Sequence, residues 1–155
     1  MLVRFLKGSK VTPKLVVALA VATFFSPIAA TSGMAQTVAE VDTSLDQLFG
    51  EHVRYRQFFD DLKKAVEAGD KEKIAGMVYY PFGARINGKI VKIRDAAHFA
   101  AAYDNIFTEK VKKAVTNQTY ETVFANWQGV MFGDGEVWFS GVGNKNLIKI
   151  TAVND

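Results

Sequence analysis

Residues 129–139 read GVMFGDGEVWF, two short apolar runs separated by Gly133-Asp134-Gly135. An Asp-Gly pair favours a tight hairpin turn, so the two runs are predicted to form antiparallel strands. With the turn at Asp134-Gly135, Val130 lies opposite Phe139, and the face that they share is apolar. Because side chains alternate between the two faces of a strand, a register shift of one residue would invert both faces.

A further strand extends this sheet toward the C-terminus. After a four-residue turn, residues 147–153 are predicted to return along the preceding strand, with Phe139 opposite Ile150 and Val137 opposite Ala152. One face of the sheet is then wholly apolar and must be covered by helices. That face holds Val130, Phe132, Val137, Phe139, Ile148, Ile150 and Ala152.

Apolar residues at helical spacing precede the sheet and provide the covering layer. One long amphipathic helix is predicted after an N-cap at Thr43 or Ser44, with residues 36–44 as a mobile lead-in. Gly69 is predicted to end this helix and Asp70 to cap a short second one. The apolar stripe of the first helix holds Leu45, Leu48, Phe49, His52, Tyr55, Phe59, Leu62 and Val66.

A second hairpin and a third helix lie between these regions. Asn87-Gly88 favours a type I′ turn, which predicts that Phe82 pairs with Ile93. Asp95 is predicted to cap a third helix, residues 108–117 to be a solvated helical turn or loop, and residues 120–127 to be a strand. The order αα-ββ-α-βββ predicts one α+β domain over residues 45–155, with a curved antiparallel sheet wrapped around the N-terminal helices.

This order resembles the nuclear transport factor 2-like superfamily, also called cystatin-like α+β, over most of residues 45–153. The resemblance to its small secreted bacterial members is carried by Tyr80-Pro81-Phe82, by Asn87-Gly88-Lys89 and by residues 126–139. Those members have no assigned function. The superfamily includes isomerases, dehydratases, ligand binders and dimerisation modules, so the resemblance implies a fold without choosing a chemistry.

Residues 1–35 have the layout of a secretory signal peptide. They hold four basic residues and no acid, an apolar run from Leu15 to Phe25, and small residues Gly33 and Ala35 before a plausible cut at Gln36. The apolar run is shorter than the roughly 20 residues that a membrane span needs. A periplasmic or secreted protein without a membrane span in its mature part is therefore predicted.

Composition limits the chemistry of the mature chain. The whole chain has 19 basic and 16 acidic residues, and without residues 1–35 it has 15 basic and 16 acidic ones. The positive balance thus belongs to the leader and does not indicate nucleic acid as a partner. With no cysteine and two histidines, a thiolate nucleophile, a cysteine-ligated zinc and a three-histidine metal site are excluded, and no cofactor is predicted.

Two sets of candidate site residues follow. Isomerase-type members of the superfamily use a carboxylate base and a tyrosine in an apolar pocket, and the residues here that could imitate this are Tyr55, Tyr79, Tyr80, Tyr103 and Asp104. The pocket candidates are Tyr55, Arg85, Tyr103 and Asp104. The alternative for these aromatic residues is a place in the core. The hairpin register puts a mixed set on the outer sheet face, and its contact-surface candidates are Met131, Glu136, Trp138 and Lys149. The alternative for Trp138 is cover by residues 120–127 or by the chain ends.

These observations predict an exported, non-enzymatic domain that binds a small molecule or a protein partner. One predicted partner is a second copy of the chain, in a homodimer through the outer sheet face. The first alternative is a cofactor-free acid–base pocket enzyme of the isomerase or dehydratase kind. The second is an immunity or inhibitor protein that acts through a surface patch. A pocket with convergent polar groups would favour the enzyme, and an apolar patch would favour the binding proteins.

The leader is expected to be absent from protein recovered from its native compartment, because its charge, apolar run and small-residue end suit signal peptidase. Intact-mass measurement tests this expectation. A mass that includes residues 1–35 would contradict the predicted localisation.

Overall fold

Two antiparallel sheets and five α-helices make up residues 36–155, the part of the chain that this computed structural model describes, and the predicted α+β class is confirmed. The predicted leader, residues 1–35, lies outside the described residues. The helices are α1 (Val38–Phe49), α2 (Val53–Ala68), α3 (Lys71–Gly76), α4 (Ala96–Ile106) and α5 (Glu109–Asn117). The strands are β1 (Phe82–Ile86), β2 (Lys89–Ile93), β3 (Phe124–Asn126), β4 (Gly129–Phe132), β5 (Val137–Val142) and β6 (Leu147–Val153).

The N-terminal helix differs from its prediction at both ends. It begins at Val38, because Thr37 and Glu40 form a capping box in which the Thr37 N–H donates to the Glu40 carboxylate at 2.7 Å. It ends at Phe49, because the next residue, Gly50, has a left-handed φ of +80° and caps the helix before α2 begins. The predicted lead-in over residues 36–44 is therefore wrong from Val38 onward, and the single long helix is two helices.

The predicted stops and caps of the next elements are confirmed. Gly69 ends α2 with a φ of +66°, and the Asp70 side chain caps α3. Asn87 and Gly88 both have positive φ, as a type I′ turn requires, and Phe82 pairs with Ile93.

The segment between α4 and β4 is more ordered than its charge suggests. Residues 109–117 form α5, in which Val111 and Val115 are buried while the lysines remain on the other side of the helix. Amphipathic spacing thus outweighs the high lysine content in this segment. The predicted strand over residues 120–127 is shorter, because a 3₁₀ turn (Tyr120–Thr122) precedes β3.

The larger sheet has the strand order β3-β4-β5-β6, and its predicted register is correct up to one irregularity. Val130 pairs with Phe139, and Phe139 pairs with Ile150. A β-bulge beside Trp138 and Phe139 then shifts β6 by one residue, so that Val137 pairs with Val153 and not with Ala152 as predicted. Val153 therefore takes the place on the inner sheet face that was predicted for Ala152, and it is buried.

Stacked aromatic rings fill the space between the four-stranded sheet and α2. The Phe139 ring centroid lies 4.9 Å from Phe58, 5.8 Å from Phe132 and 6.2 Å from Tyr55. Phe59 stacks on Phe132 at 4.6 Å. Offset and tilted pairs of this kind add to the free energy gained from burying each ring. The inner face of the sheet is therefore a packed core.

Replacement of Phe139 by Ala is expected to lower the free energy of unfolding by roughly 3–5 kcal/mol, the range for a buried aromatic residue truncated to alanine. Urea denaturation followed by circular dichroism measures the change. Ser140→Ala, at the neighbouring position on the other face, is the control and should change stability by less than about 0.5 kcal/mol. An unchanged midpoint for Phe139→Ala would contradict this account of the core.

Candidate functional site

Tyr55, the first pocket candidate, is a core residue. Its ring stacks on Phe49 with centroids 4.4 Å apart, and its hydroxyl accepts a hydrogen bond from the Gly141 N–H at 3.2 Å. It therefore connects α2 to β5 and satisfies a strand N–H. Both its ring and its hydroxyl are engaged within the fold.

Asp104 and Tyr103 are neighbours on α4 with different surroundings. Asp104 is exposed and accepts a hydrogen bond from the Lys71 ammonium group at 2.7 Å, and Lys112 lies 3.8 Å away. The hydrogen bond from Lys71 lowers the pKa of Asp104 below its ordinary value. A carboxylate with a lowered pKa is a weaker base than a free one, so these contacts oppose a role for Asp104 in proton abstraction.

Tyr103 is buried, and its hydroxyl has no hydrogen-bond partner among the described protein atoms. Burial, reinforced by the nearby negative charges of Asp104 and Glu109, raises the pKa of Tyr103 to about 12. The ammonium groups of Lys71 and Lys112 lie 5.3 Å and 5.7 Å from its ring centroid. The ring is thus held by cation–π contacts on the outside and by Phe99 and Phe107 within the core.

Arg85, the fourth pocket candidate, lies on β1 and is exposed. Its guanidinium group donates to the Gly88 carbonyl oxygen at 3.3 Å, within its own hairpin. Tyr103 and Asp104 lie together because they are consecutive residues of α4. Tyr55 and Arg85 lie on other elements, α2 and β1. None of the three surface grooves described below is lined by any of these four residues.

An apolar row crosses three strands on the outer face of the larger sheet. Phe124 pairs with Met131, and Met131 pairs with Trp138, so the three side chains share one face. The edge of the Phe124 ring packs against Trp138, with centroids 6.5 Å apart. Phe124, which belongs to the segment 120–127, thus contacts Trp138, and the row remains accessible at Phe124, which is 50% exposed.

A groove of about 420 Å³ lies beside Trp138 on this face. Its walls combine the indole with polar side chains from the β3–β4 turn, β6 and the C-terminus. The lining residues are Gln128, Trp138, Thr151, Ala152 and Asn154. A second groove, of about 160 Å³, includes Phe124 and continues toward α1.

Sequence reasoning missed two aromatic residues of this surface, Phe124 and Trp127. Trp127 is 80% exposed at the β3–β4 turn, next to Gln128 in the groove wall. The alternation of residues 124–131 could have placed Phe124 on the outer face, had the start of β3 been known. No sequence signal distinguishes an exposed tryptophan at a turn from a buried one.

Glu136 and Lys149, the other contact-surface candidates, make contacts within the fold. The Glu136 carboxylate lies inside the β4–β5 turn, where it accepts the Asp134 N–H at 2.6 Å and pairs with Lys110 at 3.4 Å. Gly133 has a φ of +64°, and a Cβ there would collide with this carboxylate. Glu136 therefore contributes to the turn, and its role at a contact surface stays a prediction. Lys149 donates to the Gly76 carbonyl oxygen at the end of α3, at 2.6 Å.

A charged groove of about 430 Å³ runs along the exposed side of α2 and begins at His52. His52 Nδ1 lies 2.9 Å from the Asp46 carboxylate, and the Tyr120 hydroxyl donates to Asp42 at 2.8 Å. The Arg56 guanidinium group lies over the Tyr120 ring, 5.1 Å from its centroid. These contacts join α1, α2 and the 3₁₀ turn.

Comparison of the chain with protein-family models, with curated proteins and with solved structures finds no match. Within residues 36–155, no group of three or more histidine, aspartate or glutamate side chains is arranged to hold a metal ion. None of the helices described is both long enough and apolar enough to cross a bilayer. The family resemblance and the predicted function therefore stay predictions.

Tyr103→Phe is expected to leave the free energy of unfolding at pH 7 unchanged or slightly higher, because the hydroxyl that it removes is buried without a protein partner. Tyr55→Phe is the matched control and should lower it by roughly 0.5–1.5 kcal/mol, since the Gly141 N–H loses its acceptor. Urea denaturation measures both changes.

The pH dependence of the free energy of unfolding provides a second test of Tyr103. The pKa of Tyr103 is raised from 10.0 to about 12, so the folded state holds this proton more tightly than the unfolded chain does. Its contribution to stability is complete below pH 10 and is lost as the pH rises toward about 12. Tyr103→Phe should therefore lose less stability than the wild type over this range. An equal loss in both proteins would contradict the assignment.

Proposed function

We propose that this chain is an exported, non-enzymatic binding domain whose outer sheet face pairs with a second copy of the chain. The observation that carries the proposal is the accessible apolar row of Phe124, Met131 and Trp138, with a groove of about 420 Å³ beside it. Export is supported by the signal-peptide pattern of residues 1–35.

The finer fold proposed is the nuclear transport factor 2-like cone. Its support is the element order, the packing of α2 on the inner sheet face, and the parallel bridge between Val78 and Ile150 that leads from α3 onto β6. In this arrangement the hairpin β1–β2 lies beside β6 as a separate two-stranded sheet.

The outer face suits a two-fold partner because it combines a projection with a depression. Trp127 projects at the β3–β4 turn, and Gln128, the next residue, lines the groove beside Trp138. Two copies related by a two-fold axis would each insert Trp127 beside Trp138 of the other, which makes the contact self-complementary. Tryptophan is also among the residues that carry most binding energy in protein interfaces.

The alternative functions find less support. The acid–base pocket enzyme needs a cavity with convergent polar groups, whereas Tyr55 is fully engaged in the core and Asp104 is paired with Lys71. The immunity or inhibitor protein would use the same outer face, with a different protein in place of the second copy. The experiment below separates these two occupants.

Trp138→Lys is expected to weaken self-association by more than about 2 kcal/mol, the usual value for a residue at the centre of an interface, because it puts a charge into a desolvated contact. Analytical ultracentrifugation over a concentration series measures association, and circular dichroism checks the fold. Leu48→Lys, an exposed apolar residue of α1, is the matched control and should leave association unchanged.

The proposal fails if the wild-type protein sediments as a monomer at all concentrations. Affinity capture with purified wild-type protein and with Trp138→Lys then tests the alternative partner. A protein captured by the wild type and by Leu48→Lys but lost with Trp138→Lys would favour the immunity or inhibitor function at this face.

A further inference from the structure

Positive charge is concentrated in the hairpin β1–β2 and in Arg94, the residue that follows it, in a domain that is otherwise acidic. Residues 82–94 contain four basic residues and no acid, whereas the other described residues contain 11 basic and 16 acidic ones. The four basic residues are Arg85, Lys89, Lys92 and Arg94. Such local segregation of charge attracts a partner of the opposite sign.

These four cations are not neutralised by neighbours in the described part of the chain. None of them forms an ion pair there, whereas Lys71 and Lys112, for example, both pair with Asp104. Arg94 contacts only the imidazole of His98, at 3.2 Å, among side chains within hydrogen-bond distance. Their charge is available to an external ligand.

The second strand of the hairpin also has an open edge. Within residues 36–155, β2 pairs with β1 and with no other strand, and residues 89–92 are all exposed. The two-residue turn closes with the Ile86–Lys89 pair, so the alternation of an antiparallel ladder directs the N–H and C=O groups of Ile90 and Lys92 away from β1. An added strand would find backbone partners there.

Apolar side chains flank this edge on both faces of the hairpin. Ile90 is 74% exposed on the face that carries Arg85, and Val91 is 41% exposed on the face that carries Ala84. A bilayer surface would meet one face of the hairpin, and the polar Asn87-Gly88 tip would hinder insertion. An extended chain beside β2 contacts both faces at once, because its side chains alternate.

The charge of the edge also selects its occupant. A second copy of β2 at this edge would bring Lys89 and Lys92 near the same residues of its partner, and like charges on neighbouring strands are destabilising. An acidic segment would instead place carboxylates beside these lysines.

We propose that the free edge of β2 binds an extended acidic segment of a partner protein by strand addition. Backbone hydrogen bonds to Ile90 and Lys92 hold the segment, and Lys89, Lys92 and Arg85 select its acidic side chains. This edge belongs to a different sheet from the row that carries Trp138, so the proposal does not depend on the proposed function.

The probe is a fluorescent nine-residue peptide of the repeat Glu-Glu-Thr, whose glutamates lie on both faces of an added strand as Lys89 and Lys92 do. Binding is followed by anisotropy. The wild type should bind it, and the double variant Lys89→Glu with Lys92→Glu should bind about tenfold or more weakly. The matched control is Lys64→Glu with Lys113→Glu, which makes the same charge change at exposed helix positions and should bind like the wild type. Binding should also weaken when salt is raised from about 0.05 M to about 0.5 M.

Two further ligands distinguish strand addition from charge alone. The same peptide methylated at every backbone nitrogen keeps its charge but loses the donors on both edges of an added strand, so it should bind at least about tenfold more weakly. Equal binding of the two peptides would overturn strand addition. Equal binding of the unmethylated peptide by both double variants would overturn the site.

Phosphatidylglycerol vesicles test a lipid surface as the ligand. Binding to these vesicles without binding to the peptide would assign the hairpin to a lipid surface and overturn the peptide proposal.

Discussion

The burial of one apolar sheet face against α2 is the constraint on which the rest of this domain depends. Phe139 lies at its centre, and the rings of Phe58, Phe132 and Tyr55 surround it at stacking or tilted distances. Because the chain contains no cysteine, packing and hydrogen bonding supply its stability. The Tyr55 hydroxyl meets the Gly141 N–H at the border of this layer, so even its polar group serves the core.

Because aromatic side chains pack the space between the larger sheet and α2, we expect a functional site on the surface of the domain. Of the candidate acid–base residues, Tyr55 and Arg85 lie on other elements than Tyr103 and Asp104, and Asp104 forms ion pairs with Lys71 and Lys112. The outer sheet face presents accessible apolar side chains, and the hairpin presents cationic ones. The two surfaces differ in chemistry and belong to separate sheets, so the two proposed contacts are independent of each other.

Local irregularities determine what these surfaces present. The β-bulge at Trp138 and Phe139 lets Phe139 and Val153 both face the core, while Trp138 and Ala152 line the outer groove. In the β4–β5 turn, Gly133 leaves room for the Glu136 carboxylate to fold inward and bind the Asp134 N–H. The outer face is therefore less charged than simple alternation along β5 implies.

Short-range patterns in the sequence determined the elements whose geometry is local: the Asn87-Gly88 turn, the caps at Asp70 and Asp95, and the pairing of Val130 with Phe139. A turn or a cap involves a few adjacent residues, so those residues suffice to predict it. The start of α1 was also encoded, in the Thr37–Glu40 capping box, but was missed. Only the tertiary structure decided the bulge, the ion pair of Glu136 with Lys110 and the hydrogen bond of Tyr55 with Gly141, because each depends on contacts between residues distant in sequence.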